Sequence, residues 1–172
     1  MARVFQSIRR RAWWGLGGLA LIVVLFGVGD LTSGISADPA ITLSVTGQTV
    51  DATRDGTPLV ASLADLAVRV GGATMIALGL GWLALLVGGV RSGHRWTWVS
   101  MWTMPLWSIL VTAVYLSVDR VPGTPPPPPM ISGPIFVVVS VALLLVAPGG
   151  LRVGASSATR ATAPEEGIGL VR

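Results

Sequence analysis

The charged residues of this chain gather in short clusters and leave four long stretches free of them: Ala12 to Gly29, Val70 to Val90, Trp96 to Val118, and Ile131 to Leu151. The length of these runs constrains the fold more than any other feature. A helix rising about 1.5 Å per residue needs roughly 20 mostly apolar residues to cross a hydrocarbon core near 30 Å thick. All four runs approach that length. The pattern predicts an all-α integral membrane protein, a four-helix transmembrane bundle. Only 12% of the residues are charged, about half the share of an ordinary soluble chain, and this agrees with the prediction.

The arginines orient the bundle. Arg3, Arg9, Arg10, Arg11, Arg91, Arg95, Arg152, Arg160 and Arg172 fall on one side, nine in all, against three on the other: Arg54, Arg69 and Arg120. By the positive-inside rule both termini are cytoplasmic, and the expected location is the bacterial cytoplasmic (inner) membrane. Trp13, Trp14, Trp96 and Trp98 then lie at cytoplasmic helix ends, where an indole buries its ring and keeps its N–H wet. The first run also reads as a secretory signal cut after Ala37. Against that, Ile35 stands where a small residue is wanted, and three more spans follow.

The expected division is a basic cytoplasmic N-terminus over 1–11, spans at 12–29, within a long helix 58–90, at 96–118 and at 134–151, and a cytoplasmic turn at 91–95. Residues 30–57 and 119–133 are external, and 152–172 form a disordered cytoplasmic tail. In the first external loop Ile41, Leu43 and Val45 alternate with Thr42, Ser44 and Thr46, a period of two that suits a short strand ended by Gly47. This loop has too few apolar residues for a core of its own, so it should lie as a small external cap on the helix ends. Thr57 and Pro58 carry a helix-start signal. Gly71 and Gly72 mark a place for the long helix to bend. Pro105 should kink the third span. Pro125 to Pro129 should run as polyproline II and form a stiff strap, with Gly133 and Pro134 opening the fourth span and Pro148, Gly149 and Gly150 closing it.

Chemistry has few places to reside. The chain has no cysteine and a single histidine, His94, in the cytoplasmic turn, so thiolate metal sites, bis-histidine haem and a serine–histidine protease are excluded. No phosphate-binding glycine motif is present, no cofactor is expected, and the arginines cap apolar runs instead of forming a nucleic-acid stripe. No ionisable residue sits at mid-membrane, which disfavours proton relays and ion-coupled carriers.

A polar set remains at the outer face. Asp65 and Arg69 are four apart on one helix face, and Ser108, Thr112, Tyr115 and Asp119 follow at spacings of four, three and four on the third span. The short turn 91–95 makes spans two and three antiparallel neighbours, so these two faces should converge into an outward cleft. Ala73, Ala77 and Gly81 continue in fours from Arg69 as a small-residue seam for that pairing. Trp98 and Trp102 share a face on which a flat ligand could stack, although anchoring and packing account for them too. The outline resembles small four-span proteins of bacterial inner membranes, the DoxX group among them, and no motif selects a family.

The functional expectation is a non-enzymatic integral membrane protein that acts by helix–helix interaction or by binding a lipid-like molecule at its outer face. The expected partners are membrane lipid and either a second copy or another membrane protein, with no nucleic acid. The alternatives are a small oligomeric permease and a membrane enzyme acting on an apolar substrate through the outer polar set.

Overall fold

The computed structural model describes residues 2–92 and 95–147, and the side chains over 11–89 and 96–147. Its elements are α1 (Ala2–Ser33), a 3-10 turn (Gly34–Ser36), α2 (Pro39–Thr46), α3 (Val50–Gly56), α4 (Pro58–Ser92), α5 (Arg95–Met101), α6 (Thr103–Ser117) and α7 (Pro128–Val146). No strand occurs among the described residues. Among the described residues, four stretches are long and apolar enough to cross a membrane: Arg11–Ser36, Pro58–Gly89, Trp96–Ser117 and Pro128–Val146. The expected tail 152–172, the signal Pro148 to Gly150 that should close the fourth span, and His94 lie outside the described residues.

The principal pairing joins α1 to α4, which run antiparallel along most of their lengths. Leu16, Ala20, Val23 and Gly27 are buried on α1, and on α4 the inward line is Ala61, Asp65, Val68, Gly72, Met75, Gly79, Trp82 and Leu86. Steps alternating between four and three give the 3.5-residue period of a coiled-coil seam. Glycine lets the two backbones touch. A methyl group at Gly72 would stand 2.6 Å from the Gly27 carbonyl oxygen, and one at Gly79 would stand 2.9 Å from the Ala20 carbonyl oxygen. The second pair is α6 with α7, and α7 also leans on α1 where Leu143 meets Gly15. Arg91 and Ser92 still belong to α4 and Arg95 already to α5, so the expected turn 91–95 is largely helical, and the main core lies toward this end, where Leu16, Trp82, Leu86, Met101, Met104 and Leu144 pack together. A smaller cluster of Ile35, Val50 and Ala61 closes the opposite end, called here the loop end.

The structure corrects several expectations. Residues 39–46 are helical and not a strand. Asp38 caps α2 by accepting from the Ala40 N–H at 3.2 Å, Pro39 occupies the first turn, and Gly47 ends it in the left-handed region at φ 72°. Those capping signals outweigh an alternation only six residues long. Thr57 stands at the N-cap of α4, its carbonyl accepting from the Ala61 N–H at 3.0 Å and Pro58 opening the helix, but its hydroxyl donates back to the Thr53 carbonyl at 3.0 Å instead of capping. α4 is one unbroken element, and Gly72 serves the contact with α1. α1 continues to Ser33, so Asp30 is helical and not the first loop residue.

The third span breaks into α5 and α6 at Trp102, three residues before Pro105. That is the turn a proline ring and its missing N–H disrupt. In the proline run, Pro127 keeps the polyproline II conformation at φ −57° and ψ 141°, but Pro128 and Pro129 already form the first turn of α7. Pro134 accordingly lies inside that helix and does not open it.

The Ala73, Ala77 and Gly81 line faces away from the bundle, since all three residues are exposed. Spans two and three do meet near their connecting turn. There the Trp82 indole donates to Thr103 Oγ1 at 2.9 Å, and the Trp82 and Trp107 rings pack edge to face at 5.9 Å.

Candidate functional site

Asp65 and Arg69, one helical turn apart on α4, form an ion pair in which Arg69 Nε donates to Asp65 Oδ2 at 2.7 Å. Their remaining bonds reach across to the end of α1. Arg69 Nη1 donates to the Leu31 carbonyl at 2.7 Å and to the Thr32 carbonyl at 3.2 Å, while Asp65 Oδ1 accepts from the Ile35 N–H at 3.1 Å. A cation on the last carbonyls of a helix satisfies acceptors that lack intrahelical donors and complements the negative end of the helix dipole. Gly34, in the left-handed region at φ 56°, lets the chain turn directly against the Asp65 carboxylate. The pair is therefore a capping clamp that fastens α4 to the terminus of α1. Arg54 extends it by donating to Ser36 Oγ at 3.1 Å.

The other four residues of the expected set go elsewhere. Ser108 and Thr112 are buried between α6 and α7. Ser108 Oγ donates to the Gly133 carbonyl at 3.1 Å, and Thr112 Oγ1 donates to the Ser108 carbonyl at 2.7 Å and packs on Gly133. Asp119 is exposed beyond the end of α6. Tyr115 is half-buried, and the carboxylates within electrostatic reach of it are Asp30 and Asp38, which also act on each other. No hydrogen bond among the described residues joins Asp65 or Arg69 to Ser108, Thr112, Tyr115 or Asp119.

The residues near Tyr115 were not legible in advance. Asp30 comes from the last turn of α1, and Asp38 comes from the cap of α2, which also burial affects. Desolvation pushes the Asp38 carboxyl above the ordinary aspartate range, although the Ala40 and Ile41 amides oppose it. Among the described residues no group of three or more histidines, cysteines or carboxylates is arranged to hold a metal.

A shallow groove of 380 Å³ opens between Ile109, Ala113 and Leu116 on α6 and Pro134, Val137 and Val138 on α7. Thr112 lines it too, with its hydroxyl spent on the Ser108 carbonyl, so the walls offer an apolar chain mainly van der Waals contact. Comparison with protein-family models, with curated proteins and with solved structures finds no match to this chain.

Proposed function

We propose that the protein is a non-enzymatic membrane protein that acts through contact between its helices and another transmembrane helix, the docking face being the outward side of α4. The observation that carries this reading is the composition of that side. Ala67, Gly71, Thr74, Ala77, Gly81 and Ala84 are all exposed, at spacings of four, three, three, four and three, and from Gly71 to Ala84 every exposed residue of that side is small, with Leu63, Leu66, Val70 and Leu85 flanking the run. The face lies roughly 140° around the helix from the seam with α1, at 100° per residue. The surfaces of α6 and α7 are instead covered by Leu106, Ile109, Leu110, Ile131, Ile135 and Val138.

Helices associate in lipid through close packing and not through exclusion from water, so small residues mark the approach of a backbone. The partner is a second copy of the chain, because a two-fold pair presents the same small face from both sides. Single-molecule photobleaching in lipid nanodiscs or vesicles tests this. The native chain should count as a dimer and Ala77→Leu as a monomer. A native chain that remains monomeric at every protein-to-lipid ratio would overturn the reading.

A second reading, binding of a lipid-like molecule, is favoured by the apolar groove between α6 and α7. An acyl chain retained by the native protein and lost from Ala113→Leu, read by mass spectrometry, is the outcome it requires.

In both readings the termini lie in the cytoplasm of a bacterial inner membrane, on the strength of nine arginines against three. A reporter fused after Gly56 should be active outside.

A further inference from the structure

The indole N–H of Trp102 is buried and has no hydrogen-bond partner among the described residues. Its neighbours are supplied: Trp82 donates to Thr103 Oγ1 at 2.9 Å and Trp98 to the Leu144 carbonyl at 3.0 Å. Trp98 and Trp102 pack edge to face at 5.6 Å, which engages their rings with one another but leaves the Trp102 N–H unused. What the site offers is a hydrogen bond.

The donor sits at the break between α5 and α6, six residues into a span that begins at Trp96, which is about 9 Å along the helix axis. At the same break Pro105 brings no N–H to the Met101 carbonyl four residues earlier, and Met101 is fully buried. One donor and one acceptor, adjacent in sequence, are therefore left without their usual partners in an apolar surround. Buried polar groups are almost always hydrogen-bonded, and broken helices within membranes have their freed groups satisfied by side chains or ordered water.

We infer that this break is a binding site for a neutral acceptor oxygen that bonds Trp102 Nε1. The oxygen belongs either to one internal water or to the carbonyl of an apolar ligand dissolved in the bilayer. Water is the source that serves both groups at the break, since it accepts from the indole and donates to a carbonyl.

The test is NMR of the full chain in lipid nanodiscs with 15N-labelled indoles, the Trp102 resonance being assigned by its loss in Trp102→Phe. The inference expects a downfield, hydrogen-bonded indole proton. A cross-peak to water identifies water as the source. A proton that stays downfield without that cross-peak and shifts on adding decyl acetate identifies a ligand carbonyl. An upfield, unbonded indole proton overturns the inference, as does a cross-peak from it to residues beyond 147, which would place the acceptor within the chain.

A second measurement replaces Trp102 with benzothienylalanine, which keeps the ring volume and removes only the N–H. The inference expects a lower thermal midpoint, because a made hydrogen bond is lost. An unchanged or raised midpoint contradicts it, since removing an unpaired donor costs nothing.

Discussion

The two helix pairs of this molecule solve the same packing problem in opposite ways. α1 and α4 are long and uninterrupted, and they meet through Gly27, Gly72 and Gly79 so closely that their backbones provide the contact. α6 and α7 are shorter and disturbed, one starting at the Trp102 break and the other carrying Pro134 inside it. They are held by a Trp107–Phe136 ring contact at 6.4 Å and by the Ser108–Gly133 hydrogen bond, and a groove stays open beside them. In lipid, where apolar surface gains little from burial against apolar surface, glycine seams and interhelical hydrogen bonds are the two available means. The first gives a stiff unit with a clamp at its end. The second leaves room for other molecules.

The strongest way to break this contrast is Gly72→Leu. Its Cβ would meet the Gly27 carbonyl at 2.6 Å and the Leu31 N–H nitrogen at 2.6 Å, both backbone atoms that no rotamer change can move. Thermal unfolding in detergent should show a loss of about 3 kcal/mol, at the upper end of overpacking costs. Gly71→Leu, one residue away, has open space around it and should leave unfolding of the monomer within about 0.5 kcal/mol of the native chain. Equal effects at the two positions would place the seam elsewhere.

The clamp comes next. Arg69→Ala removes the donor to Asp65, Leu31 and Thr32 together, and Gly34→Ala forces a side chain into the left-handed region against Asp65. Each should lower the unfolding midpoint clearly more than Arg54→Ala, which loses one exposed bond to Ser36. In the second pair the effect is smaller: Ser108→Ala should cost about 0.6 kcal/mol, the average for a side-chain hydrogen bond between membrane helices.

The smallest effect concerns Asp38. Its folded-state carboxyl holds its proton more tightly than in the unfolded chain, so the folded state binds more protons from the ordinary aspartate value of 3.8 upward. Stability should therefore fall as pH rises from about that value through the raised one. Asp38→Asn keeps an oxygen for the Ala40 cap and removes the charge, and should flatten that dependence in a pH series of unfolding midpoints.

What was legible in the sequence was local. Apolar length located four helices long and apolar enough to cross a membrane, and the i, i+4 spacing paired Asp65 with Arg69 because both ride one helix. What that pair holds was not legible, since the Leu31 and Thr32 carbonyls and the Ile35 amide come from a chain segment whose path depends on how α1 ends. On α4 two lines of small residues compete. Ala73, Ala77 and Gly81 look as suitable as Gly72 and Gly79 until α1 supplies its own matching period at Leu16, Ala20, Val23 and Gly27. That signal was present in both segments, and comparing the two periods would have found the seam. The carboxylates whose charge bears on Tyr115 could not be read in this way, because Asp30 and Asp38 come from the α1 terminus and the cap of α2.

The central claim is that α4 carries two faces, one spent on α1 and one offered to a second copy. Disulfide scanning tests it most directly, because the native chain has no cysteine to interfere. Single cysteines placed along α4 and oxidised in native membranes should yield dimers at Ala67, Gly71, Thr74, Ala77 and Gly81. Ile76, Leu83 and Val87, which lie about 130–170° around the helix from the centre of that face, should yield none. Cross-linking that ignores this periodicity, or that is absent at all eight positions, would contradict the account.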